Sequence, residues 1–241
     1  MWLDFDREKV PRLREPAMVV AVSTSMPQYR ALYSQARELG EYLLKTLQFE
    51  KIATVRSSAF PPEVLVGEDG ISALPECHFY LKKGKKDLIL FAGDASPMED
   101  QYGFAHFLLE YAEELGVGEL YSVGTRWAEN PVPPEADPVP NGFATDAIGV
   151  AKLKKAGVSI IKEEPAPFFA SMVVALSKDY GIRGYKLSVD HGEPIPHARS
   201  VAKLLGAFSS LSGIEVPLEG LGVKPGQPVA QRQPGDATIY H

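Results

Sequence analysis

Cysteine is nearly absent from this 241-residue sequence, in which Cys77 is the only one. A single cysteine cannot form a disulfide within the chain, and it excludes the cysteine-rich clusters of structural zinc sites. His191 and Glu193 lie in a DHGE segment, but the zinc deaminase pattern also needs a downstream PCxxC, which is missing. We therefore expect no bound metal and a protein suited to a reducing compartment.

Long apolar runs and an excess of basic residues are also lacking. The longest apolar run, at 17–22, is far too short to cross a bilayer, and the first 15 residues contain no apolar signal core. The net charge of −6 opposes a polyphosphate partner. We expect a cytoplasmic protein that binds neither membrane nor nucleic acid.

The common motifs of catalysis and cofactor binding are missing as well. The sequence has no P-loop, no GxSxG elbow and no HExxH. The GVG segment at 116–118 follows a predicted helix and precedes a strand, the reverse of the order that a dinucleotide-binding fingerprint requires. We assign no catalytic residue and expect no cofactor.

What the sequence does contain is an alternation of β-rich segments with amphipathic helices. The segment AMVVAV at 17–22 is typical of a buried central strand, and the apolar stripe after Pro27 predicts a helix over 28–48. Further strands are predicted at 52–55, 63–66, 78–81, 88–93, 119–124, 158–161 and 185–189, and further helices at 104–115, 146–156, 167–180 and 197–212. This order predicts an α/β fold with a mostly parallel or mixed sheet and helices on both faces.

Two proline-rich segments interrupt the alternation. Residues 126–142 contain five prolines, which predict an irregular surface loop. Residues 221–241 contain three Gly and three Pro without any helical or strand period, which predicts a flexible tail. Because the composition does not shift across the first segment, we expect one α/β domain over 1–220.

Candidate ligand-binding residues follow the predicted strands, since ligands of open α/β sheets gather at the carboxyl ends of strands. Ser23 and Ser25 follow the first strand, Asp94 follows 88–93, and Arg126 follows 119–124. The carboxylate of Asp94 equally suits a turn, in which it would bond to its own backbone. Arg126 could hold an anion or pin the proline-rich loop.

The order of these segments resembles that of the second type of proteasome assembly chaperone. The resemblance covers about 17–220 and rests on AMVVAV with its long helix, FPPEVLVGEDG at 60–70, LILFAGDASP at 88–97, and ELYSVGT. It implies a three-layer α/β domain of the phosphorylase/hydrolase-like kind that forms homo-oligomers. It also implies a role in acting on other proteins, with proteasome subunits as candidate partners.

The last three residues, Ile239, Tyr240 and His241, match the ending of proteasome activators, which is a hydrophobic residue, then Tyr, then any residue. A chain of this composition would end this way by chance with a frequency of about 0.02. An aromatic ring followed by a terminal carboxylate is a suitable docking element, because the ring can fill an apolar pocket while the carboxylate is held by a Lys or by backbone amides.

Two functions are therefore open. The first is a non-enzymatic, oligomeric assembly chaperone or proteasome-associated binding protein, which should present a large apolar face. The second is an enzyme of the nucleoside phosphorylase or hydrolase type, which should bring at least two polar or ionisable groups together at the strand ends.

Overall fold

Strands and helices alternate along most of the chain, as the sequence predicts. The computed structural model describes residues 1–22, 35–93, 95–127, 137–163, 165–166, 168–191 and 197–221. The strands in these ranges are β1 (Leu3–Arg7), β2 (Ala17–Val22), β3 (Glu50–Ser57), β4 (Leu65–Val66), β5 (Ser72–Ala73), β6 (Cys77–Lys82), β7 (Leu88–Gly93), β8 (Glu119–Trp127), β9 (Pro140–Ala144), β10 (Ser159–Ile160) and β11 (Arg183–His191). The helices are α1 (Gln35–Thr46), α2 (Gln101–Glu114), α3 (Ala147–Lys155), α4 (Phe169–Ser177) and α5 (His197–Ser212), with 3₁₀ turns at Lys178–Tyr180 and Glu219–Leu221.

Nine strands form one mixed sheet in the order β1-β3-β6-β7-β2-β8-β11-β9-β10. The four neighbours β7, β2, β8 and β11 are parallel, while β1, β3 and β6 pair antiparallel with the strands beside them. Strand β9 is antiparallel to β11 and parallel to β10. The carboxyl ends of the four parallel strands therefore meet at one edge, which we call the carboxyl edge. Strands β4 and β5 form a separate two-stranded ribbon.

The core has two layers because every residue of β2 is buried. Met18, Val20 and Val22 belong to a cluster with α2 and α4, whereas Ala17 and Val19 belong to one with α1 and α5. Alternate side chains of a strand point to opposite faces, so the two clusters lie on the two faces of the sheet. The predicted α/β fold, a mixed sheet with helices on both faces, is confirmed.

Local hydrogen bonds fix where the helices begin and end. Asp146 precedes α3 and its carboxylate accepts a hydrogen bond from the backbone N–H of Gly149 at 2.6 Å. Asp100 caps α2 in the same way through Gly103. Gly116 follows α2 with a φ of 75°, a left-handed conformation that costs glycine little.

The irregular loop predicted over 126–142 is wrong at both ends. Strand β8 continues to Trp127, and β9 begins at Pro140 and pairs with β11. Proline is tolerated at the first position of a strand, where its missing N–H removes no interior bond of the ladder.

Two other predicted elements are shorter in the structure. The strand predicted at 63–66 is reduced to β4. The predicted helix over 28–48 is helical from Gln35 to Thr46, and its first residues, 28–34, lie outside the described residues.

Candidate functional site

A chain of polar side chains crosses the carboxyl edge between β8, β11 and β9. The guanidinium of Arg126 on β8 donates to a carboxylate oxygen of Asp190 on β11, with an N–O distance of 2.7 Å. The amide nitrogen of Asn141 on β9 donates to the same oxygen at 2.6 Å. The hydroxyl of Ser188 then donates to the side-chain oxygen of Asn141. These four side chains, which we call the polar chain, lead from a half-exposed ion pair into the sheet.

Of the predicted ligand-binding residues, Arg126 alone falls within the described part of the chain. It lies at the carboxyl edge, as predicted, and its partner there is Asp190. Ser23, Ser25 and Asp94 lie outside the described residues, and so do Ile239, Tyr240 and His241 of the tail. Their predicted roles therefore stay predictions.

Lys186 lies one step below the polar chain on the same face of β11. Its side chain is 5% exposed and its amine donates to the backbone carbonyl of Leu187 at 3.1 Å. Burial lowers the pKa of this amine to about 7, because an ammonium loses its hydration there. Among the described residues, no carboxylate lies within ion-pair distance of Lys186. Its register neighbour on β8 is Ser122, whose buried hydroxyl has no hydrogen-bond partner within the described ranges.

Glu119 organises a second charged cluster, at the opposite edge of the sheet where β8 begins. Its carboxylate accepts hydrogen bonds from Lys86 at 2.9 Å, Lys152 at 2.8 Å and Tyr121 at 2.9 Å. Burial alone would raise the pKa of Glu119, but these donors outweigh it and hold the pKa at about 2. The carboxylate thus binds side chains from three segments, the turn before β7, α3 and β8, and we assign this cluster to the stability of the fold.

A groove of about 500 Å³ lies on the α4 face of the sheet, between the start of α2, α4 and β9. Tyr102, Phe143, Phe168 and Met172 supply much of its apolar wall. Tyr102 is 64% exposed and Phe168 is 55% exposed. Phe168 also has a φ of 75°, a backbone conformation that is rare and costly for an aromatic residue and that places this residue directly before α4.

The ribbon of β4 and β5 carries a second group of exposed apolar side chains. Val64, Val66, Ile71 and Leu74 are all more than half exposed, and Ile71 reaches 69%. Several large apolar side chains in one short ribbon are unusual on the surface of a monomer and are typical of protein contact sites. Phe143, which lines the groove, is half-buried and packs against the core.

The polar chain and Lys186 escape prediction from the sequence for a physical reason. In YKLSVD, Tyr185, Leu187 and Val189 alternate with Lys186, Ser188 and Asp190, a pattern typical of a strand with one solvated face. Here α4 covers that face, so Lys186 and Ser188 are buried. One signal in the sequence could have identified them. The apolar segment 169–176 precedes β11, and a helix this apolar has to pack against a sheet, where it covers the polar face of the strand.

The described ranges contain neither a metal-binding cluster nor a membrane-spanning helix. No cluster of three or more His, Cys, Asp or Glu side chains in these ranges is arranged to hold a metal ion. Each helix in them is too short or too polar to pass through a bilayer.

Comparison with known proteins matches the sequence to one protein family. The sequence profile of the PAC2 family matches residues 36–224. No curated protein sequence matches the chain.

Solved structures share the fold across most of the chain. PbaB of Pyrococcus furiosus, an archaeal proteasome activator, has a TM-score of 0.76 and 20% identity, covering 91% of this chain and 93% of PbaB. PbaA of the same organism, an archaeal homolog of proteasome-assembly chaperone, has a TM-score of 0.69 and 18% identity over 91% of this chain and 85% of PbaA. The Mycobacterium tuberculosis proteasome-assembly chaperone homologue Rv2125 has a TM-score of 0.69 and 18% identity over 85% of this chain and 89% of its own. The TM-scores establish a common fold, and at such low sequence identities the conclusion extends to the fold alone.

Proposed function

The chain belongs to the PAC2 family, and from this premise we propose that it is an oligomeric assembly chaperone or proteasome-associated binding protein that docks a partner through its C-terminal residues. The observation that carries the proposal is the likeness, over nine tenths of the chain, to a solved proteasome activator. Fold alone does not fix function, so the argument also needs a docking element and a surface.

The docking element is the ending Ile239-Tyr240-His241. The Tyr240 ring has enough apolar area to anchor a peptide in a pocket, and the carboxylate of His241 adds a charge that a Lys or backbone amides can hold. The Gly and Pro content of 221–241 favours a flexible arm. An arm of 20 such residues has a root-mean-square reach of about 25 Å, enough to enter a groove on a partner.

The exposed apolar residues support protein contacts as the main activity. Ile71 on the β4–β5 ribbon and Tyr102 and Phe168 beside the groove are each more than half exposed. By contrast, Arg126 and Asp190 at the carboxyl edge are hydrogen-bonded to each other. A substrate of an enzyme would have to break that pair to use either group, which favours the chaperone over the phosphorylase or hydrolase.

Removing the anchor ring tests the proposal. We expect Tyr240→Ala, and deletion of 239–241, to abolish binding of the full chain to an immobilised proteasome α-ring, because the pocket loses the group that fills it. Tyr240→Phe is the matched control and should keep most of the binding, since the ring and the carboxylate remain. The measurement is biolayer interferometry on variants whose circular dichroism and light-scattering mass equal those of the wild type. Equal binding by the wild type and Tyr240→Ala would remove the tail from the proposal.

A further inference from the structure

The β4–β5 ribbon and the chain beside its base form an exposed apolar surface. Four side chains of this segment are each more than half exposed, namely Val64, Val66, Ile71 and Leu74. Trp2 is 55% exposed and lies at the base of the ribbon, because its backbone carbonyl accepts a hydrogen bond from the N–H of Ser58 at 3.1 Å. Exposed tryptophan beside aliphatic residues is typical of protein contact sites. We call these five side chains the ribbon surface.

The charges in the segment that forms the ribbon have one sign. Residues 57–81 contain neither Lys nor Arg, but they contain four carboxylates, those of Glu63, Glu68, Asp69 and Glu76. Arg56, which precedes this segment, pairs with Glu76 at 2.7 Å. Two copies that met ribbon to ribbon would bring carboxylates against carboxylates, and like charges in a contact are unfavourable. The ribbon surface therefore suits a basic counterpart.

A basic surface of this kind is present on the same chain. Residues 82–87, which join β6 to β7, contain four lysines and one aspartate, and residues 9–15 contain three basic residues and one glutamate. The two segments lie side by side, because the N–H of Asp87 donates to the carbonyl of Arg14 at 3.0 Å and the N–H of Arg14 donates to the carboxylate of Asp87 at 2.9 Å. Arg14 and Lys85 are exposed, and no carboxylate in the described ranges pairs with their side chains. We call these two segments the basic edge.

Strand β6 keeps the two surfaces apart within one molecule. Cys77, at its start, pairs with Gly93 at the carboxyl end of β7, and Lys82, at its end, pairs with Leu88 at the start of β7. The ribbon is therefore attached at the carboxyl edge of the sheet, and the lysine-rich turn lies at the opposite edge. A strand of six residues spans about 17–20 Å. One molecule cannot close this contact on itself, whereas two copies can.

From this geometry we propose that the homo-oligomer is built head to tail, with the ribbon surface of one copy packed on the basic edge of the next. The inference rests on the proposed function, of which the oligomer is a part. The aliphatic stems of Lys and Arg supply apolar area for Trp2 and Ile71, while their charged ends meet the carboxylates of the ribbon. Because every copy presents both surfaces, the contact repeats and gives a closed ring or an open filament.

Charge reversal on the full chain tests the contact. The first variant, Arg14→Glu with Lys85→Glu, reverses the basic edge, and the second, Glu63→Lys with Glu68→Lys, reverses the ribbon. We expect each variant to have the mass of a monomer in light scattering at micromolar concentration, because each brings like charges together in the contact.

A third variant controls for the change in net charge. Lys154→Glu with Lys155→Glu makes the same change as the first variant at two exposed lysines of α3. Helix α3 packs against β9 and β10, at the other end of the sheet from β3 and β6. This variant should keep the wild-type mass.

Mixing the two reversed variants in equal amounts tests the head-to-tail arrangement itself. In the mixture every ribbon can meet an edge of opposite charge on the other variant, so the wild-type mass should return. A variant that had failed to fold could not be rescued in this way.

The outcomes separate this contact from the proposed function. A wild-type mass in either reversed variant, or monomers that stay apart on mixing although circular dichroism shows both to be folded, would overturn the head-to-tail contact alone. A wild-type protein that is itself monomeric would remove the oligomer from the proposed function, and this contact with it.

Discussion

The Lys186 amine destabilises the folded chain whenever it carries a charge, because a single backbone carbonyl is the partner of the buried ammonium in the described part of the chain. In the unfolded chain a lysine has a pKa of about 10.4, whereas burial lowers it to about 7 in the folded chain. Below pH 7 both states are protonated and the cost is constant. Between about pH 7 and pH 10 the unfolded state binds more protons, so stability should rise with pH.

The variant Lys186→Met isolates this effect. We expect Met to raise the free energy of unfolding by about 1–4 kcal/mol at pH 6, because an apolar residue of similar volume needs no hydration. The difference between variant and wild type should shrink as the pH rises from 7 toward 10. Urea unfolding at pH 6, 7, 8 and 9 measures it. Parallel stability profiles for the two proteins would show that the amine is charged and compensated in the folded state.

At the scale of elements, the β4–β5 ribbon stands apart from the main sheet. A two-stranded ribbon is marginal in water, and this one leaves Val66 and Ile71 more than half exposed. If the ribbon forms the contact of the proposed homo-oligomer, Ile71→Asp should lower the mass in light scattering, since a buried charge in an apolar contact is costly. Ile148→Asp on α3 is the control, because Ile148 is 60% exposed and α3 packs against β9 and β10, at the other end of the sheet from the strands β3 and β6 that flank the ribbon in sequence.

The two substitutions should leave the melting temperature unchanged, because neither side chain is buried within the chain. If Ile148→Asp lowers the mass as much as Ile71→Asp, the loss reflects general charge repulsion. If both variants keep the wild-type mass, the ribbon is not part of a contact between copies.

Elements with strong apolar patterns could be predicted from the sequence, and those held by pairing could not. The continuous apolar run AMVVAV at β2 is typical of a strand buried on both faces, and the apolar stripe of α5 is typical of an amphipathic helix. Strand β1, LDFDR, is a mainly exposed edge strand that exists through its ladder with β3, and β9 begins with Pro140. In both cases a distant strand supplies the hydrogen bonds, so local propensity carries little information.

The residues of the candidate site also divide into those visible from local sequence and those that depend on distant pairing. Arg126 was predicted because its position after a strand is visible in the sequence. Its partner Asp190 is 64 residues away, and their meeting depends on β8 and β11 being parallel neighbours. The sequence does not identify Lys186, because a polar residue in an alternating strand is normally exposed to solvent. Here α4 packs over that face of the strand and buries the side chain.

For the whole molecule, the proposed function depends on several tails acting together. A single tail presents one ring and one carboxylate, so its contact is weak. In an oligomer, the first tail to bind holds the others near their pockets at high effective concentration, and this raises the overall affinity without any new contact. A monomeric mass at micromolar concentration would remove this mechanism.

The most direct test compares the whole protein with a synthetic peptide of residues 222–241 on the same immobilised proteasome α-ring. We predict that the whole protein binds at least about 100-fold more tightly than the peptide, and that Tyr240→Ala abolishes binding in both forms. A whole protein that binds no more tightly than the peptide, or that binds equally well with Tyr240→Ala, would contradict the account.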